Sequence, residues 1–162
     1  MYIYHFLQMI IKNENTKIKE KALNIPTATL VWLICLIGIY VIMQIVSDQK
    51  RLDFLFNYSF IPNIYSNFSS PKFYHFYSPL TYILIHGNLT HLIVNISMLA
   101  AFGSIIEKKF GIFNFLFIFL FSSLIAIFTH YLFFQNSYSP VIGASGGICG
   151  LFSFFLIMRL IY

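Results

Sequence analysis

The sequence has 162 residues, 59% of them hydrophobic and 9% charged, with ten Lys and Arg against five Asp and Glu for a net charge of +5. Soluble domains carry charge on roughly a quarter of their residues, so an ordinary soluble globule is excluded and an all-α, polytopic membrane helical bundle is expected. The basic residues form no face interleaved with exposed aromatics, which excludes nucleic acid as a partner.

The N-terminal residues 1–11 are apolar, but the charges that would precede a signal sequence follow them, and no small-residue cleavage site appears. Residues 1–27 therefore read as a cytosolic N-terminal segment, and 28–162 as one membrane domain. Four runs can cross a hydrocarbon core, which takes ~20 helical residues. They are 28–46, a shorter one at about 91–106, 112–134, and about 141–161. Cys35 and Cys149 fall inside two of these runs with no CxxC spacing, and read as packed apolar thiols. Between the first two runs, residues 47–85 hold Pro62, Pro71 and Pro79, which argue against one continuous helix. Their density of Phe and Tyr predicts a structured loop in the membrane interface.

Basic residues set the orientation. Lys12, Lys17, Lys19 and Lys21 precede the first run, Lys108 and Lys109 follow the second, and Arg159 ends the fourth. The 135–140 turn has none, while Lys50, Arg51 and Lys72 lie in the long loop. The best fit puts both termini in the cytosol with four crossings, a multi-pass protein of a bacterial inner membrane. The second and fourth helices then begin on the same, non-cytosolic side.

Those two beginnings carry the unusual residues. The second reads His86-Gly87-Asn88-Leu89-Thr90-His91-Leu92-Ile93-Val94-Asn95, and its His91 and Asn95 share one helical face. The fourth reads Gly143-Ala144-Ser145-Gly146-Gly147-Ile148-Cys149-Gly150. Taken singly, His91 and Asn95 could be interhelical hydrogen-bond glue, and the glycines small-xxx-small packing. At one membrane depth, a hydroxyl with Asn and His donors has the parts of an acyl-transfer site that lacks only a base.

The pairing of His-Gly-x-x-x-His-x-x-x-Asn with a later Gly-x-Ser-Gly resembles the rhomboid family of intramembrane serine proteases. Gly103-Ser104-Ile105-Ile106-Glu107-Lys108-Lys109-Phe110-Gly111 resembles the family's segment closing the second helix. The resemblance implies Ser145 as nucleophile. It also implies an oxyanion hole of His91, Asn95 and the Ser145 backbone N–H, with His86, Gly143 and Gly146 in supporting roles. It implies membrane-protein substrates cleaved in the bilayer, and no metal or other cofactor.

The family's catalytic histidine lies on a sixth transmembrane helix, whereas this sequence offers four of the usual six core helices. The chain is accordingly expected to be truncated and to lack its base, leaving three readings. It is an enzyme completed by a separate fragment, an inactive rhomboid-like membrane protein, or a gene fragment. Of the other histidines, His130 lies at a plausible depth for a substitute, while His5 is expected in the cytosol and His75 in the interfacial loop. A small transporter or channel subunit would also hold polar groups within the membrane.

Overall fold

The computed structural model describes residues 24–66 and 72–161. The expectations for residues 1–23, for Pro71 and for His5 lie outside the described residues. Among the described residues the protein is all-helical, apart from one antiparallel bridge between Phe60 and Val141.

The first long helix, α1, spans Thr27–Ile45 and ends where Arg51 Nε donates to the Met43 carbonyl at 2.7 Å. Three short helices follow: α2 (Asp48–Tyr58), α3 (Pro62–Ser66) and α4 (Tyr74–Thr81). The segment expected as a structured loop is thus largely helical. Pro62 opens α3, where its missing N–H costs nothing, but Pro79 sits inside α4.

The chain then enters α5 (Leu89–Met98), passes through a wide π turn at Leu99–Gly103 and continues as α6 (Ser104–Phe110). This arm is longer than the run expected at 91–106, because Asn88 caps its start and Gly111 stops its end. Asn88 accepts from His91 N–H at 2.8 Å, and Gly111 has φ +84°, a conformation that favours glycine. The next helix, α7, spans Ile112–Phe133. Leu89–Phe133 forms a 45-residue apolar run that would measure about 68 Å if straight, more than twice a hydrocarbon core. It is not straight. The Phe115 ring lies against Gly103, twelve residues earlier, so the chain folds back at Gly111.

The last helix, α8, spans Ser145–Ile161. It starts four residues later than the expected 141, because Val141 is paired with Phe60 and Gly143 has φ +108°. Its glycines meet α7 in antiparallel order: Gly146 faces Ala126, Gly147 faces Ser123 and Phe119, and Gly150 faces Ser122. The core between the long helices holds Leu36, Leu99, Phe115, Phe119 and Leu151, all fully buried.

Thr27–Ile45 and Leu89–Phe133 are long and apolar enough to cross a membrane, and Ser145–Ile161 is a shorter apolar helix. Their outer faces are apolar too. Ile34, Phe113, Phe117, Phe121 and Phe128 are all more than half exposed. Water would not tolerate so continuous a patch, whereas lipid does. The two cysteines correct the expectation of packed thiols, since Cys35 and Cys149 both lie exposed on these outer faces.

Glu107 ties the bundle together. Its carboxylate accepts from Ala28 N–H at 2.9 Å, Thr29 N–H at 2.7 Å and the Thr29 hydroxyl at 2.8 Å. These are the orphan donors at the start of α1, and the negative charge opposes the positive end of the helix dipole. Glu107→Ala strands several buried donors at once and is expected to cost about 3–5 kcal/mol. Reversible unfolding in mixed micelles measures this, and a loss below about 1 kcal/mol would show that water takes over the carboxylate's role.

Candidate active site at the start of α8

Ser145 is the first residue of α8. The Ala144 carbonyl accepts the first intrahelical hydrogen bond, from Ile148 N–H at 3.1 Å, so the N–H groups of Ser145, Gly146 and Gly147 have no partner within the helix. These donors and the helix dipole favour negative charge at this end. Ala144 is buried and Ser145 is exposed. Among the described residues the Ser145 hydroxyl has no hydrogen-bond partner.

Two features fix the approach to Ser145. Gly143 donates its N–H to the Tyr82 carbonyl at 2.9 Å, and the Tyr82 hydroxyl donates to the Ser123 carbonyl on α7 at 2.7 Å. Burial pushes the Tyr82 phenol up to about 12, so it remains a neutral donor at physiological pH. The Phe60–Val141 bridge, with bonds of 3.2 and 2.8 Å, anchors the same strap from the other side. Tyr82 stands among many aromatics in the sequence, and nothing in its neighbours singles it out.

His91 lies directly against this strap. A Cβ on Gly143 would fall 2.6 Å from both Cε1 and Nε2 of His91, so the ring packs on the glycine backbone two residues before Ser145. The structure therefore brings His91 beside the Gly143–Ser145 segment. Asn95 is buried one turn further along α5, and its Nδ2 donates to the His91 carbonyl at 2.8 Å. That bond uses one of two amide hydrogens. Gly146 faces α7, where Ala126 leaves no room for a side chain.

His86 is buried behind His91, with ring centroids 5.0 Å apart at 60°. Neither ring nitrogen meets full hydrogen-bond geometry, although the Leu84 carbonyl lies near enough to favour the protonated ring slightly. Burial, and then the neighbouring His91, push its pKa down to about 4. The sign follows from linkage: the unfolded chain binds a proton near pH 6.5 and the folded one does not until about pH 4. Stability is thus expected to fall by about 2 kcal/mol between pH 7.5 and pH 5. His86→Phe should flatten that part of the stability–pH curve, and an unchanged slope would locate the titration elsewhere.

Of the other histidines among the described residues, His130 lies one turn beyond the Ala126 that faces Gly146, and His75 lies in α4. His130, the candidate substitute base, stacks on Phe134 with centroids 4.7 Å apart. His75 is buried in α4, where its Nδ1 accepts from Lys72 N–H at 3.0 Å.

Long apolar helices with lipid-compatible outer faces, and polar residues gathered at their ends, define a helical membrane protein. The family model for the rhomboid domain matches residues 72–161, more than half of the sequence and all of α4 to α8. The chain belongs to the rhomboid family. No curated protein matches it.

Proposed function

We propose that this chain carries the nucleophile and oxyanion hole of a rhomboid-type intramembrane serine endopeptidase acting on transmembrane segments of other membrane proteins. The observation that carries the reading is the packing of His91 on Gly143, two residues before a serine at a helix N-terminus. Ser145 Oγ would attack the scissile carbonyl carbon, and its proton would pass to a histidine supplied by a separate fragment. The negative charge that develops on the carbonyl oxygen would be met by the Ser145 N–H and by donors from His91 and Asn95. Collapse of the tetrahedral intermediate would expel the amine, protonated by the same base, and water would then hydrolyse the acyl-enzyme.

The decisive experiment is cleavage of a rhomboid model substrate by the wild-type protein and by Ser145→Ala, with and without a co-expressed fragment supplying two further helices and a histidine. Loss of cleavage on Ser145→Ala supports the assignment. Cleavage that survives it refutes the nucleophile. The alternative is a family member without peptidase activity that binds transmembrane segments, favoured by the unpartnered Ser145 hydroxyl. Silence of the wild-type protein under both conditions would select it.

The same reading includes four crossings in an inner membrane with both termini in the cytosol. Support comes from the basic residues Lys108, Lys109 and Arg159 at one end of the bundle, and from the absence of basic residues in the turn at the other. Cysteines introduced at Asn13 and Lys108 should label only from the cytosolic side, and one at Ser137 only from outside. External labelling at Lys108 in intact cells would invert the topology.

A further inference from the structure

Backbone bonds hold the strap before Ser145 at alternate residues. Val141 pairs with Phe60, and the Gly143 N–H is taken by the Tyr82 carbonyl. Ile142 stands between them and makes no backbone hydrogen bond among the described residues. Its side chain holds it instead. A Cβ on Gly87 would lie 3.3 Å from Ile142 Cδ1, and apart from the chain neighbours of Gly87 nothing else described comes within 4 Å of that point.

Gly87 does not have a positive φ, so its backbone would accept a side chain, and what the glycine supplies is room. The packing is reciprocal. Gly87 receives a side chain from the strap, and Gly143 on the strap receives the His91 ring, whose Cε1 and Nε2 lie 2.6 Å from where a Cβ would be. Asn88 caps α5 between Gly87 and His91, accepting from the His91 N–H at 2.8 Å, which makes one piece of residues 87–91. Two glycines and two side chains thus interlock the start of α5 with the strap.

We infer that Ile142 is a positioning residue for Ser145, acting through its packing on Gly87. A flat ring on a glycine resists compression but not sliding, so the His91 contact alone leaves the strap free to shift along the ring. Ile142 seated against Gly87 blocks that shift, because close-packed side chains do not pass through one another. Ser145 is thereby kept beside His91 and Asn95. The consequence for catalysis rests on Ser145 being the nucleophile, as proposed above, whereas the interlock itself is a matter of packing.

The test uses the 162-residue chain in neutral detergent, carrying Cys35→Ala, Cys149→Ala and Ser145→Cys, so that one thiol reports on position 145. Its reaction with an aromatic disulfide, followed against pH, gives the pH at which that thiol ionises. At a helix N-terminus this midpoint is expected about one unit below the ordinary cysteine value of about 8.5. Ile142→Ala empties the space beside Gly87, and Gly87→Val fills it against Ile142. Each alone should raise the midpoint by about half a unit. The two together should restore it, because the new valine occupies the space that the isoleucine left. Unchanged midpoints in both single variants overturn the inference, as does a combined variant shifted by the sum of the two. An ordinary midpoint with the interlock intact would instead overturn the electropositive placement of Ser145 on which the proposed function draws. Hydrogen exchange at Gly143, whose N–H Tyr82 holds, then decides the interlock. Exchange should quicken about ten-fold in each single variant and return in the combination. Equal rates in all of them overturn the inference. Should Gly87→Val fail to fold, Gly87→Ala meets the same methyl at 3.3 Å and replaces it, with a smaller shift.

Discussion

Gly147→Ala is expected to destabilise the protein by about 3 kcal/mol, whereas Gly38→Ala should stabilise it by about 0.5–1 kcal/mol. The chemical change is the same and the signs are opposite. A Cβ on Gly147 would lie 2.6 Å from the Phe119 backbone carbonyl, with the Phe119 ring and the Ser123 hydroxyl equally close. A rotamer change could relieve the side chains but not the carbonyl, so α7 and α8 must separate. That separation loosens their whole antiparallel contact, because Gly146 and Gly150 also leave no space for a side chain. Gly38 on α1 meets nothing within 4 Å, so alanine there only reduces the freedom of the unfolded chain and improves helix propensity. Unfolding in mixed micelles compares the two variants. A Gly147→Ala protein as stable as wild type would mean that α7 and α8 do not pack through their small residues.

The glycines at 143–150 were legible in the sequence as a group, but not in their separate roles. Spacing alone suggests two small-xxx-small pairs, Gly143 with Gly147 and Gly146 with Gly150, and both glycines of the second pair do face α7. In the structure Gly147 contacts α7, while Gly143 lies outside α8 with φ +108° and carries the His91 ring. Periodicity also set the start of α8 too early. Residues 141–144 are apolar or small enough to extend the helix, and only the long-range pairing with Phe60 and Tyr82 takes their backbone groups away. Pairing between residues some eighty or sixty positions apart leaves no local trace. The same holds for Tyr82, whose neighbours in sequence are also aromatic and apolar. The first crossing was easier. Thr27–Ile45 is bounded by a proline and by a polar run, and sequence and structure agree there within one residue at each end. The Glu107 contact explains why a carboxylate is tolerated among apolar residues, a question that composition raises and only the neighbouring helix answers.

The largest effect is expected at Ser145. In a protein with a base in place, Ser145→Ala removes the atom that bonds to the carbonyl carbon, and turnover should fall by about 10⁶-fold. The oxyanion donors predict a smaller, graded loss. His91→Ala and Asn95→Ala should each lower turnover about 10²–10³-fold with little change in substrate binding, because charge on the oxygen develops only in the transition state. The two variants should differ in stability. Asn95 is buried and bonded to the His91 carbonyl, so truncating it leaves a buried gap as well as a missing donor, whereas His91 is only half-buried. His91→Ala also frees the space beside Gly143 and so allows the strap before Ser145 to move. A second substitution separates these causes. Gly143→Ala keeps the His91 imidazole but forces it off the strap, since the new methyl would lie 2.6 Å from the ring, and it strains a residue held at φ +108°. If His91 acts through its position on the strap, Gly143→Ala should lose turnover by a factor similar to His91→Ala, and the double variant should lose little more than either alone. Additive losses would mean that the ring and the strap contribute independently. Full activity in His91→Ala would remove the histidine from the oxyanion hole and leave the helix N-terminus and Asn95 to stabilise the intermediate.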